Sequence, residues 1–183
     1  MQIVEQKDAY HSLRAYLSEF SWQTYLSSRI QRLNPGVSAG SYDVCSLIRT
    51  LKQAPSHISM CALKTVSNSW TTSHRMHAEN RARCVFGCVN DDSLDHYLRC
   101  AVLAMAVSVA LHEPLPIPPP DLSFFLPRSF GSRKDLLRIF LAYDTYHSIK
   151  HHISNSRSAL YLPTVMRAIA ARHRASNMRF TIP

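Results

Sequence analysis

Apolar side chains recur along most of this chain at helical spacing. Between residues 5 and 33, Tyr10, Leu13, Leu17, Phe20, Leu26, Ile30 and Leu33 fall mostly three and four apart, which is the stripe of an amphipathic helix. Asn34, Pro35 and Gly36 end it. Val44, Leu47, Ile48 and Leu51 repeat the period between Asp43 and Gln53, with Pro55 as a stop. Ser56 fits the N-cap of a third helix carrying Ile58, Met60, Cys61, Leu63 and Val66. After a cysteine-bearing turn at 84–90, Asp91, Asp92 and Ser93 offer capping oxygens and negative charge for a helix from Leu94 to about Leu111. Five of the eight residues from Glu113 to Pro120 are proline, and their fixed angles and missing donors predict a polyproline II spacer. Beyond it, Ser132 can cap a helix to about Ile153 with Leu136, Leu137, Phe140 and Leu141 facing inward. A last helix spans roughly 158–175 around Pro163. Alternation with period two hardly appears, and no fixed-period repeat is present.

The reading is therefore a mainly α chain, a helical domain with a small turn-helix (CCHC) insert. It divides into a helical region over 1–112 with a CCHC site at 84–100, a proline-rich spacer over 113–131, and a basic C-terminal helical pair over 132–183.

The insert carries the candidate chemistry. Cys84, Cys88, His96 and Cys100 form C-x3-C-x7-H-x3-C, and structural zinc takes four tetrahedral S or N ligands with no position left for water. Gly87 permits the positive φ that turns Cys84 and Cys88 toward one point. His96 and Cys100 stand four apart on the predicted helix and so project from one face. Three thiolates and a neutral imidazole around Zn2+ leave a net charge of −1, which Arg99 can soften. Cys45 and Cys61 lie on apolar helix faces and read as core cysteines. The odd count of five cysteines, three of them within 17 residues, favours metal over disulfides.

Charge then narrows the partner. Twenty-one Lys and Arg stand against twelve Asp and Glu, a formal net charge of +9 with ten histidines in reserve, which favours an anionic partner. Around the cluster, Lys64, Arg75, Arg81 and Arg83 are interleaved with Trp70, cations for phosphates and a ring for bases. A solvated helix face with a core tryptophan accounts for the same residues equally well. From Thr145 onward there are six Lys or Arg and no acid, and Arg167, Arg172 and Arg174 fall on the last predicted helix. Arg167 and Arg174, seven apart, share a face of it. His147, His151 and His152 read as exposed histidines before a second metal site. Four glycines leave no phosphate-cradling loop, and no hydrolase elbow appears. The longest apolar run, Ala101 to Leu111, is too short to span a bilayer, and the first residues lack the pattern of a secretory signal. The expectation is an intracellular protein, nuclear or cytoplasmic, with no membrane partner.

The stretch from Leu63 to His77, with Trp70 and the run Thr71, Thr72, Ser73, His74, Arg75, followed by Cys84, Cys88, His96 and Cys100, resembles the zinc-binding tail at the C-terminus of non-LTR retrotransposon reverse transcriptases. The resemblance covers about residues 60–105. It implies the same four ligands, RNA or DNA as partner, a reverse transcriptase or other protein as a second partner, and a nuclear location. The spacing departs from the retroviral C-x2-C-x4-H-x4-C knuckle. The acidic strand of the polymerase palm is missing, since Asp91 and Asp92 follow Val89 and Asn90 in the turn and read as helix caps. The chain is thus expected to be a nucleic-acid-binding module and not an enzyme. A zinc-stapled protein-interaction module is the alternative. A metal-dependent nuclease is third, disfavoured by the closed ligand set.

Overall fold

The computed structural model describes residues 20–36, 38–79, 82–116, 121–155, 167, 169–171 and 174. Helices α1 (Trp22–Leu33), α2 (Val44–Gln53) and α3 (Ser56–Val66) precede the cysteine turn; α4 (Leu94–Tyr97), α5 (Ala101–Ala110) and α6 (Arg133–Asn155) follow it. Among the described residues there is no strand, only an isolated parallel bridge between Asp43 and Ser129 and an antiparallel one between Arg83 and Asp91. The chain is mainly helical, as its periodicity predicts.

Local chemistry sets the helix starts. The Ser21 hydroxyl accepts from the Thr24 N–H, so α1 begins at Trp22, and the stripe predicted to run unbroken from residue 5 to 33 is interrupted at Phe20 and Ser21. Residues 5–19 of that stripe lie outside the described residues. Asp43 caps α2 by accepting from Ser46 N–H at 3.0 Å. Ser56 is not a cap: Pro55 holds that position with an extended backbone, and Ser56 is already helical. At α6 the Ser132 hydroxyl and N–H both donate to Asp135 Oδ2.

Helix α3 is the spine. It buries Ile58, Cys61, Ala62, Thr65 and Val66 and packs along α6, whose Leu136, Ile139, Leu141 and Tyr146 are almost fully covered. Helix α5 packs on α6 as well, and side chains from α1, α2, α3, α5 and α6 form one cluster. The helix after the prolines therefore completes the core begun before them. The proposed spacer is a solvated strap only in part. The Glu113 carboxylate takes two bonds from Arg138, at 2.8 and 2.9 Å. Downstream, Leu122, Phe125, Leu126 and Phe130 are buried, and Phe130 N–H donates to Ser46 Oγ while its carbonyl accepts from Thr50. Prolines 118–120 themselves lie outside the described residues.

The last predicted helix is described only at Arg167, 169–171 and Arg174, all helical, with Ile169 buried. No helix of the described residues is long and apolar enough to cross a membrane.

Candidate metal centre

Two short pieces of chain build the site. The first is the turn from Cys84 to Asn90, closed at its base by Cys84 N–H to Asn90 O at 2.9 Å and by the bridge between Arg83 and Asp91. Inside it, Gly87 N–H donates to Cys84 O at 3.1 Å, and Gly87 adopts φ +87°, a conformation side chains with a Cβ rarely take. Gly87→Ala meets no steric neighbour, so its cost is conformational alone. The metal-loaded variant is expected to lose about 1 to 2 kcal/mol, read as a lower denaturant midpoint at unchanged metal content.

The second piece is α4 and its exit. Ser93 caps α4, accepting from His96 N–H at 3.2 Å, but the helix expected to continue to Leu111 stops at Tyr97. Cys100 has φ −70° and ψ 111° and is itself the N-cap of α5. His96 and Cys100 thus do not sit one turn apart on a single helix; the break between α4 and α5 aims both at the turn. The four ligand atoms of Cys84, Cys88, His96 and Cys100 lie within 4.8 Å of one another. The Cys88 and Cys100 sulfurs are 3.5 Å apart, and four tetrahedral bonds of about 2.3 Å would set sulfurs about 3.8 Å apart. The set can hold a metal ion.

Two further observations fit an ion. His96 Nε2 is buried with no hydrogen-bond partner, a state that costs about 1 to 3 kcal/mol unless something ligates it. Donation from Cys100, then from His96 and the Phe86 and Cys88 amides, holds the Cys84 thiol down at about 4 against burial, while burial raises Cys88 and the hydrogen bond to Cys84 raises Cys100. A lowered thiol among the four side chains favours a cation there. Arg99 lines a pocket with Cys88 and His96, pairs with Asp95 and donates to Leu33 O at 3.4 Å.

A buried polar node backs the centre, and it overturns the reading of Asp92 as a helix cap. Asp92 is wholly buried. Its Oδ1 accepts from Tyr97 at 2.7 Å and Tyr146 at 3.0 Å, its Oδ2 from Ser73 N–H at 2.6 Å and Lys150 at 3.2 Å. Burial opposes its ionisation, but those donors together hold the carboxyl below its ordinary range, while burial and the carboxylate push both tyrosines up. Tyr97 also accepts from Val85 N–H at 3.2 Å, joining the cysteine turn to α4 and, through Asp92 and Tyr146, to α6. Sequence reasoning missed this node because Tyr146 and Lys150 lie more than 50 residues away and give no local signal.

The other sequence-singled residues divide. Trp70 is fully buried, stacked on Tyr97 and Tyr146 with Nε1–H bonded to Thr65 at 2.9 Å; it is a core residue and presents no face to bases. Lys64, Arg75 and Arg83 are exposed, Lys64 lying over the Tyr143 ring. Arg81 and Arg172 lie outside the described residues. Arg167 and Arg174, both exposed, line one groove with Ala106, Val109 and Ala110 of α5, which places them on a shared face. Cys61 is buried, and burial raises its thiol to about 12, but Cys45 is exposed and not a core residue. His147 is half-buried among Trp70, Tyr143 and Tyr146; the side chains of His151 and His152 lie outside the described residues. Against protein-family models, curated proteins and solved structures, the chain finds no match.

Proposed function

We propose that the chain is a zinc-binding nucleic-acid-binding module, in which the ion fixes a turn that presents cations to phosphates. Zinc suits three thiolates and an imidazole in a closed tetrahedral set and brings no redox chemistry. The observation that carries the reading is how the basic loop is mounted. Arg75 and Arg83 are exposed and make no ion pair among the described residues. Their loop is tied to the far side of the metal turn by His74 N–H to Asp92 O, Asp92 N–H to Ala82 O and Ala82 N–H to Ser73 Oγ. Guanidinium groups on a braced backbone suit phosphate oxygens and stay charged at any working pH. The resemblance to the retrotransposon reverse transcriptase tail points to the same partner, RNA or DNA.

The test is salt dependence. Nucleic-acid affinity of the zinc-loaded chain is expected to fall linearly on a log–log plot against salt. Arg75→Ala with Arg83→Ala should reduce that slope by about 1.4 on single strands and about 1.8 on duplex. An unchanged slope would move the reading to a zinc-stapled protein-interaction module. Val89 at the tip of the metal turn, 84% exposed, and Met76, 61% exposed, are the observations favouring that second reading.

A further inference from the structure

Trp22, the first residue of α1, is 54% exposed. Its ring meets Phe20 edge-on at 5.1 Å and Tyr25 at 6.1 Å, and the Arg29 guanidinium lies over the Tyr25 ring at 5.2 Å. Positions 22, 25, 29 and 32 step by three, four and three, so Trp22, Tyr25, Arg29 and Arg32 form one strip along α1 beside the buried strip of Leu26, Ile30 and Leu33; Trp22 and Arg32 are exposed, while Arg29 is half-buried and Tyr25 half-buried against the core. Helix α1 contains no acid, and neither arginine makes an ion pair among the described residues.

Tyr25, met by Phe20 at 5.4 Å and by Arg29, is the floor of this strip, and the exposed Trp22 indole with Arg29 and Arg32 beside it is the part that can take a ligand. Rings for bases beside cations for phosphates is the chemistry of a single strand. The strip also has a direction. At the far end of α1, Leu33 O accepts from Arg99, the residue before the candidate ligand Cys100. Ten residues at 1.5 Å each put Arg32 about 15 Å along the helix from Trp22. We infer that Trp22, Tyr25, Arg29 and Arg32 form a stacking track for single-stranded nucleic acid that leads the strand toward the metal turn. The inference rests on the nucleic-acid reading above and adds to it a second contact surface and a preference for single strands.

The chain has two tryptophans. Because Trp70 is fully buried and Trp22 is not, collisional quenching of emission reports Trp22. Titrating the zinc-loaded full chain with a 15-nucleotide oligothymidylate is expected to quench and shield that exposed fraction. Trp22→Ala should weaken oligothymidylate binding about 5- to 150-fold, the range for loss of one stacked base, and leave duplex affinity within twofold. Trp22→Phe, which keeps a ring, should recover most of the loss. Unchanged zinc content and circular dichroism establish that Trp22→Ala is folded. If Trp22→Ala binds the oligonucleotide within twofold of the wild type, the track is overturned, while the Arg75 and Arg83 slope still decides the module's function. If the wild type binds no nucleic acid, both readings fall. If Trp22→Ala instead dissolves a dimer seen by sedimentation at unchanged oligonucleotide affinity, the strip is a protein interface and the track is overturned.

Discussion

Cys100→Ser is expected to leave the protein without stoichiometric zinc and to lower its stability by about 4 kcal/mol or more, the range reached when a structural metal is lost. The size follows from where Cys100 stands. It is 1% exposed, caps α5, and sits between the Cys88 sulfur and the buried Leu98 and Leu103. A serine there keeps the shape but not the soft thiolate, and His96 Nε2 returns to being a buried nitrogen with no partner. Beyond its own closing bonds, the turn carrying Cys84 to Asn90 is then tied to the helices by Phe86 and the Val85-to-Tyr97 bond. Metal analysis by atomic emission and a denaturant melt check this together, with Cys45→Ser as the control, because Cys45 is exposed and outside the set. Zinc uptake by the metal-free wild type should release protons near neutral pH, since the Cys88 and Cys100 thiols are raised. One zinc per chain in Cys100→Ser at an unshifted midpoint would remove the metal centre as drawn.

Residue spacing made the helices legible where burial was local. Leu47 and Val44 on α2, and Ile58, Cys61 and Val66 on α3, all face the core at the predicted period. The clustering of Cys84, Cys88, His96 and Cys100 is legible for a different reason: few arrangements of three cysteines and a histidine bring a turn and a helix start to one point. The break at 98–100 was not legible, because Leu98, Val102 and Leu103 continue the apolar pattern of Leu94 and Tyr97 across it. The chain leaves the helix there and brings Cys100 to the turn, an arrangement that no local residue signals. Trp70 is ambiguous in sequence for a related reason. In sequence it is an aromatic among cations; in space it is the floor under Tyr97 and Tyr146. Phe125, Leu126 and Phe130 were counted as spacer because the prolines before them dominate the composition, yet their burial ties that segment to α2.

Asp92→Ala should cost about 3 to 5 kcal/mol, the range for removing one partner of a buried ion pair and leaving the other behind. Tyr97 and Tyr146 would lose their acceptor and the Ser73 amide its bond at a fully buried position, and Lys150, half-buried and still bonded to Thr71 O, would lose its carboxylate. Asp92→Asn separates charge from shape. It keeps an acceptor for the tyrosines but sets an amide where Ser73 and Lys150 both donate, so a smaller loss of about 2 kcal/mol is expected. The pH dependence follows from the direction of the shift. The folded carboxyl ionises below its unfolded value, so its contribution is fully present above the ordinary carboxylate range, about pH 4. That contribution is lost as pH falls through the folded-state value. Protonation of the thiolates will release metal over the same acid range, so the informative quantity is the difference between wild type and Asp92→Asn. That difference should be constant from pH 8 to about pH 5 and shrink below about pH 4. A gap that stays constant down to pH 2 would show that Asp92 is not ionised in the folded protein, and that the node holding α6 to the cysteine turn is a neutral hydrogen-bond network.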